Sequence, residues 1–178
     1  MRRILIAFLI LAALLLSACG GAAPAPTEEP VVGIPNPIHE TDEKGLAEAT
    51  GISLPAPEYA EDVSWSYIEP NGESPIAQMS FTLGGKKALL RAQATDKTAL
   101  EDLPDISGLN YKWTTTGEQE EAVVGRRAMV FTNGEAGYVT WLDVVPGIHY
   151  CLGMSEGASV TELYALADRV FVPLQGNA

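Results

Sequence analysis

Cysteine and histidine are scarce in this chain of 178 residues, which contains two of each. Two cysteines allow at most one disulfide, and the four residues together have none of the short, regular spacings of a zinc site. The chain also lacks the G-x-S-x-G turn of many hydrolases and any glycine-rich, phosphate-binding loop. We therefore expect no metal, no cofactor and no enzymatic activity.

Positive charge is also in short supply, with 11 lysines and arginines against 23 aspartates and glutamates. The net charge of −12 becomes −14 if the N-terminal segment with Arg2 and Arg3 is removed. Such a surface repels the phosphates of nucleic acids, so we expect no nucleic-acid partner. High solubility is the simplest consequence of this acidity, and a cation-binding surface is the alternative.

One long hydrophobic run is present, from Ile4 to Leu16, directly after the two arginines. Its thirteen residues are too few for a bilayer core, which needs roughly 20. They match the hydrophobic region of a secretory signal, which has about 7–15 residues. The small residues Ser17 and Ala18 follow. We therefore predict that residues 1–18 form an export signal rather than a membrane-spanning helix.

The stretch Leu16-Ser17-Ala18-Cys19 resembles the lipobox of bacterial lipoproteins. The resemblance implies cleavage between Ala18 and Cys19, a diacylglycerol on the Cys19 sulfur and a further fatty acyl group, such as palmitate, on the new N-terminus. Several acyl chains on one residue hold a protein at a membrane far better than one chain does. The alternative is an ordinary signal cleaved at the same position, which leaves Cys19 as a free thiol.

Glycine, alanine, proline and glutamate dominate the residues that follow Cys19. This composition buries too little apolar surface to fold. We assign residues 19–38 to the lipidated cysteine and a flexible tether that spans about 60 Å when fully stretched. We count His39 with the end of this tether. The globular domain is assigned to residues 39–174.

Local patterns predict one helix at each end of the domain. Thr41 is expected to cap the first helix, which has an apolar stripe of Leu46 and Ala49 and ends at Gly51. The stretch Ser159-Val160-Thr161-Glu162 is a capping box that opens the second helix. The apolar face of the second helix is predicted to comprise Leu163, Leu166, Ala167 and Val170.

Between the helices, apolar and polar residues alternate with the period of β-strands. The break from Asp96 to Gly108 has room only for a short helical turn near residues 99–103. Because strand follows strand with no crossover helix, we predict an α+β fold: an antiparallel sheet of about seven strands with both helices packed to one side. The predicted strands are residues 63–67, 77–83, 86–94, 110–116, 120–132, 137–145 and 148–154.

Pairing the last two strands across Pro146-Gly147 places Val145 opposite Ile148 and Trp141 opposite Leu152. Side chains alternate between the two faces of a sheet, so this pairing also sorts the residues into faces. The predicted core face comprises Val139, Trp141, Val145, Ile148, Tyr150, Leu152 and Met154. The opposite face receives His149 and Cys151.

His149 and Cys151 are the candidate nucleophile pair, because a neighbouring histidine can activate a cysteine as its thiolate. Residues two apart on a strand are separated by roughly 6.5–7 Å at the backbone, and the sequence marks no third orienting group. The simpler interpretation is a small buried cysteine beside a partly exposed histidine. A metal or redox role is a further alternative. We therefore assign no catalytic residue.

Charged clusters and tryptophans are the other candidate contact residues. The acidic groups around Glu118 and Glu101 lack the pattern of a calcium loop, so we interpret them as solvated surface. The doublets Lys86-Lys87 and Arg126-Arg127 are interpreted as charge that keeps strand edges soluble, with a polar partner contact as the alternative. Trp113, in the polar run YKWTTT, is predicted to be a surface contact for a partner or a sugar.

Three segments resemble a group of small bacterial surface lipoproteins and anti-sigma-factor-associated extracytoplasmic domains of unknown function. The segments are NPIHE, GYVTWLDVVPGIHYCLGM and ALADRVF, and the matching positions include Gly137, Tyr138, Trp141 and Tyr150. These motifs are structural, so the resemblance implies an extracytoplasmic location and no catalytic residues.

We predict a non-enzymatic binding or interaction module of the cell envelope, held by Cys19 at the extracytoplasmic face of the cell membrane. Its partner would be an envelope protein or a cell-wall ligand. One alternative is a regulatory lipoprotein of envelope stress signalling, which the resemblance implies. Another is an envelope hydrolase with catalytic residues dispersed along the chain.

Overall fold

The computed structural model describes residues 37–170, apart from the side chains of Glu120 and Glu121. The predicted export signal, Cys19 and all of the tether up to residue 36 lie outside the described part. Eight strands form one antiparallel sheet, and two helices pack on one of its faces. The α+β class and the single antiparallel sheet are therefore confirmed.

The order of the strands across the sheet is β1-β2-β3-β4-β8-β7-β6-β5. The chain therefore leaves the middle of the sheet after β4 and re-enters at the far edge with β5. The strands are β1 Ile38–Thr41, β2 Glu61–Ile68, β3 Ile76–Leu83, β4 Lys86–Ala94, β5 Thr115–Val123, β6 Arg126–Thr132, β7 Gly137–Asp143 and β8 Ile148–Met154. The helices are α1 Glu43–Thr50 and α2 Val160–Val170.

The predicted count of about seven strands is too low: two differences raise the observed count, and a third lowers it. The prediction has no strand before residue 63 and counts His39 with the tether, but His39 lies in the short β1 and its ring stacks on Tyr67 at 4.7 Å. The predicted strand over 120–132 is two strands, because Val124 and Gly125 have φ of 48° and 76° and turn the chain. Residues 110–114 are not a strand.

Both predicted helices are present, but two details of the first helix are wrong. Asp42, not Thr41, caps α1: its carboxylate accepts a hydrogen bond from the Gly45 amide at 2.7 Å. Leu46 is buried as predicted, whereas Ala49 is exposed. The apolar stripe of α1 is therefore narrower than the sequence pattern indicates.

The capping box of α2 is confirmed. The Glu162 amide donates to Ser159 Oγ at 3.2 Å, and the Ser159 amide donates to Glu162 Oε2 at 3.3 Å. This reciprocal pair satisfies two backbone donors at the start of the helix. All four residues predicted for the apolar face of α2 are buried.

The pairing of β7 with β8 differs from the prediction by two residues. Trp141 lies opposite Tyr150 and Asp143 opposite Ile148. A shift of two residues leaves every side chain on its predicted face, because strands alternate with period two. Six of the seven predicted core residues are therefore buried under the helices, but the prediction for Val145 is wrong. Val145 lies in the turn after β7 and is 90% exposed.

Residues 95–114 connect β4 to β5 and are here called the strap. Because β8, β7 and β6 lie between these two strands, the strap crosses the sheet on the face opposite the helices, here called the strap face. Ile106 packs there against Tyr138 and Cys151 in a second hydrophobic cluster. The predicted helical turn is confirmed as a single 3-10 turn, Leu100–Asp102.

Arg91 projects from the middle of β4 on the strap face and holds the strap in place. Its Nε donates to Gln78 Oε1 at 2.9 Å, and its Nη1 donates to the Ile106 carbonyl at 3.0 Å. Gln78 in turn donates to Ser66 Oγ at 2.9 Å. Gly108 lies directly over the guanidinium, where an added Cβ would be 2.2 Å from Nη1. One side chain thus joins the strap to strands β2 and β3.

We expect Gly108→Ala to destabilise the domain by about 2–3 kcal/mol, because Gly108 has φ +71° and the new methyl group overlaps Arg91. The matched control is Gly84→Ala, which has φ +60° but no atom within 4 Å. That control should cost only about 1 kcal/mol. Urea unfolding measures both, and equal losses would show that Arg91 does not fix the strap.

Candidate functional site

The candidate nucleophile pair lies on the strap face, as predicted, but it is not assembled. His149 Nε2 is 2.6 Å from Thr140 Oγ1, and Thr140 Oγ1 donates to the Tyr150 carbonyl at 3.0 Å. A hydroxyl has a single proton, so Thr140 accepts from His149, whose Nε2 therefore carries the hydrogen. The partner of His149 is thus Thr140 on β7 rather than Cys151.

The imidazole of His149 is buried and uncharged. Only 1% of the side chain is exposed, and burial lowers its pKa to about 4 although the charge of Asp105 opposes this shift. With Nε2 protonated, Nδ1 is an acceptor, and it has no hydrogen-bond partner within the described residues. This ring can accept a proton only at a pH well below neutrality.

Cys151 is held as a thiol. Burial raises its pKa well above the ordinary value, and the charge of Asp105 raises it further, against a smaller opposite effect of Arg91. The thiolate is the nucleophilic form of cysteine, so this environment suppresses reactivity. Cys151 instead packs against Ile106 and Tyr138. The simpler interpretation, a buried packing cysteine, agrees with this geometry, although His149 is fully rather than partly buried.

Asp105 is the residue that sequence reasoning missed at this site. The strap carries it over the sheet, where its charge influences His149, Cys151 and Tyr138. Its Oδ1 accepts a hydrogen bond from the Ser107 amide at 2.8 Å, which shapes the strap locally. No sequence spacing predicts this approach, because 44 and 46 residues separate Asp105 from His149 and Cys151.

A small cavity of about 110 Å³ lies between the strap and strands β6 to β8. It combines an apolar wall with the hydroxyls of two strand residues and the carboxylates of Glu101 and Asp105. Its lining includes Asp105, Met129, Phe131, Tyr138, Thr140 and Cys151. This volume has room for several water molecules and is below the roughly 300–1,000 Å³ of ordinary ligand pockets.

Trp113 belongs to a row of four aromatic rings, here called the aromatic row. Its ring meets Tyr138 edge-on at 5.4 Å and Tyr111 at 5.7 Å, and Tyr138 stacks on Phe131 at 4.7 Å. Trp113 is half-buried and Tyr111 is 47% exposed. Trp113, the predicted surface contact, thus lies at the rim of the second hydrophobic cluster. Tyr111, at the outer end of the aromatic row, is in contact with solvent.

The other two tryptophans are structural. Trp141 is fully buried and stacks on Tyr150 at 5.4 Å. Trp65 donates from its indole nitrogen to the Leu54 carbonyl at 2.8 Å. Both contacts anchor the helix face of the sheet, so Trp113 is the tryptophan that reaches the surface of the strap face.

The second basic doublet forms ion pairs between elements. Arg126 pairs with Asp143 at 2.9 Å, and Arg127 pairs with both Glu118 and Glu101. The Arg127 hydrogen bonds hold the pKa of both glutamates below the ordinary range. Glu101 lies on the strap, whereas Arg127 and Glu118 lie on β6 and β5. These ion pairs therefore connect the strap to the sheet at a second point.

The described residues contain no group of three or more histidine, cysteine, aspartate or glutamate side chains placed to hold a metal ion. Within the same residues, neither helix is long and apolar enough to cross a bilayer.

Comparisons with protein-family models, curated proteins and solved structures find no match to this chain. The resemblance to extracytoplasmic lipoprotein domains therefore stays a prediction.

The pKa of His149 predicts a specific loss of stability in mild acid. Its folded pKa of about 4 is below the unfolded value of about 6.5, so below pH 6.5 the unfolded chain binds more protons than the folded one. The contribution of His149 to the free energy of unfolding is fully present above about pH 6.5 and decreases as pH falls towards 4. Between pH 7 and pH 5 we expect a loss of about 2 kcal/mol.

Urea unfolding at pH 7, 6 and 5 measures this effect. His149→Leu should remove most of the pH dependence, whereas the matched control His39→Gln, at the other histidine of the chain, should leave the effect of His149 in place. If the His149 variant loses stability in acid as steeply as the parent, His149 is not the titrating group.

Proposed function

We propose that this chain is a lipid-anchored, non-enzymatic binding module on the extracytoplasmic face of the cell membrane. The observation that carries the proposal is Leu16-Ser17-Ala18-Cys19, placed directly after a basic start and a thirteen-residue hydrophobic run. A tether rich in proline and glycine then separates Cys19 from the domain. This arrangement is typical of a domain that must reach beyond the membrane surface.

The state of the strap face supports binding rather than catalysis. Cys151 is a buried thiol with a raised pKa, and His149 is neutral and hydrogen-bonded to Thr140. A nucleophile needs a lowered pKa or a base within hydrogen-bond reach. The contacts of these two residues offer neither condition, so we propose a packing role for Cys151 and His149.

The aromatic row supports a surface for stacking ligands. Tyr111 and Trp113 are inclined at 53° to each other and present a bent pair of rings. The exposed side chains of Asn110 and Lys112 alternate with them and supply hydrogen-bond donors. Aromatic faces paired with a few polar groups suit ligands with both apolar and hydroxylated surfaces. We therefore propose a cell-wall glycan as the ligand class.

Replacement of Cys19 tests the anchor. In cells, Cys19→Ala should abolish labelling with a radioactive fatty acid and leave the chain unprocessed or released from membranes, because the acylated sulfur is absent. The matched control is Cys151→Ala, which changes the other cysteine and should leave labelling intact. Normal labelling and membrane retention of the Cys19 variant would refute the proposed anchor.

Alanine substitutions test the binding surface. We expect Tyr111→Ala and Trp113→Ala to weaken binding of the domain to purified cell walls by about fivefold or more, as for aromatic hot spots. The control is Tyr59→Ala, because Tyr59 is 79% exposed and lies outside the aromatic row. Because the Tyr111 ring is exposed, Tyr111→Ala should leave the fold intact. A loss of binding in this variant therefore reports the loss of a ligand contact rather than unfolding. Equal binding of all three variants and the parent contradicts the glycan assignment.

A further inference from the structure

The two ends of the sheet differ in what they expose. Strands β1, β3, β6 and β8 begin at one end, and β2, β4, β5 and β7 finish there. The described chain also starts at this end, because Pro37 precedes β1. We call it the anchor end, since the residues preceding Pro37 lead back to Cys19. It comprises Pro37, Ile38 and residues 69–75, 94–97, 124–125 and 144–147.

Exposed aliphatic side chains are concentrated at the anchor end. In the described part of the chain, the exposed large hydrophobic residues are Ile38, Tyr59, Tyr111, Val124, Val144 and Val145. All four aliphatic members lie at the anchor end. Both tyrosines lie at the opposite end, Tyr59 just before β2 and Tyr111 beside the start of β7.

The turn between β7 and β8 is the most prominent part of this apolar set. Val144 is 55% exposed and Val145 is 90% exposed. Turns of this kind normally carry glycine, asparagine, aspartate or serine. The conformation of the turn therefore does not explain why two consecutive valines occur here. A groove of about 530 Å³ runs beside them, and Leu100 and Leu142 contribute to its lining.

Two of the acidic residues near the valines have a basic neighbour. Asp143 is paired with Arg126, and Lys97 lies 3.9 Å from Asp96. Two further exposed acidic residues, Glu69 and Glu73, lie between β2 and β3 at the same end, and Glu73 lines a groove with Pro146. This end therefore approaches lipid headgroups through apolar contact of the valines and against electrostatic repulsion between its glutamates and anionic lipids.

We propose that the anchor end is a membrane-contact surface, at which Val144 and Val145, with Val124 in the neighbouring turn between β5 and β6, enter the interface of the bilayer. This inference rests on the proposed lipid anchor, which makes a weak contact sufficient. A tether of the predicted length, about 60 Å when fully stretched, keeps the domain near the membrane at high effective concentration. The aromatic row then points away from the membrane, towards the cell wall.

The test separates the contact from the anchor. Residues 20–178 with an N-terminal histidine tag are held on phosphatidylcholine vesicles with about one quarter phosphatidylglycerol and a nickel-chelating lipid, which replaces the Cys19 lipid. A bimane label is placed on Val145→Cys or, as the matched control, on Tyr59→Cys at the opposite end. Cys151 is buried and does not compete for the label.

Quenching by nitroxide-labelled lipid reports proximity to the bilayer. We expect quenching at residue 145 to be at least about twofold stronger than at residue 59, since an inserted group lies ~5–10 Å into the interface. Quenching at residue 145 should persist in about 0.5 M NaCl, which screens charge but not apolar contact. Equal quenching at both positions, or its loss in salt, overturns the proposal.

The result does not depend on Cys19, because the nickel lipid supplies the attachment. A failure of Cys19→Ala to affect membrane retention would refute the anchor and leave the vesicle experiment unaffected. A second variant, Val144→Ser with Val145→Ser, should reduce quenching of a bimane on Val124→Cys. Unchanged quenching in that variant also overturns the proposal, because the valines would then make no contact.

Discussion

The crossing from β4 to β5 is the constraint on which the rest of the structure depends. These strands are separated by β8, β7 and β6, so the strap must pass over the sheet. The sheet is therefore covered on both faces in this half, and every residue of β8 is buried. Arg91 stabilises the crossing, because its Nη1 donates to the Ile106 carbonyl of the strap and its Nε donates to Gln78 on β3.

The same strap determines the chemistry of the strap face. It buries His149 and Cys151, which lowers the pKa of the imidazole and raises that of the thiol. Both groups are thereby neutral at physiological pH, because the charge of Asp105 only partly offsets the lowered pKa of the imidazole and adds to the raised pKa of the thiol. The last residues of the strap carry Tyr111 and Trp113 of the aromatic row. The segment that buries His149 and Cys151 therefore also leaves Tyr111 exposed and Trp113 half-buried. The burial of His149 and Cys151 and the exposure of Tyr111 are two results of one chain path.

Local patterns predict those parts of the fold whose cause is local. The capping box and apolar face of α2 are predicted correctly, because a helix end and a period of 3.6 depend on adjacent residues. The faces of β7 and β8 are correct despite a register error of two residues, since alternation has period two. The short β1 is missed because four residues are too few to show alternation, and Val124 is placed in a strand because a valine in a left-handed turn is rare.

Neighbouring residues and short motifs are enough to predict the fold class, the sheet faces and the end helices, and they are the whole basis of the predicted lipidation of Cys19. The order of the strands, the path of the strap, the pairing of His149 with Thr140 and the concentration of exposed valines at one end of the sheet emerge only in the folded chain. Those features arise from contacts between residues far apart in the sequence. Such contacts leave no periodic signal, because their free energy depends on which surfaces meet after folding.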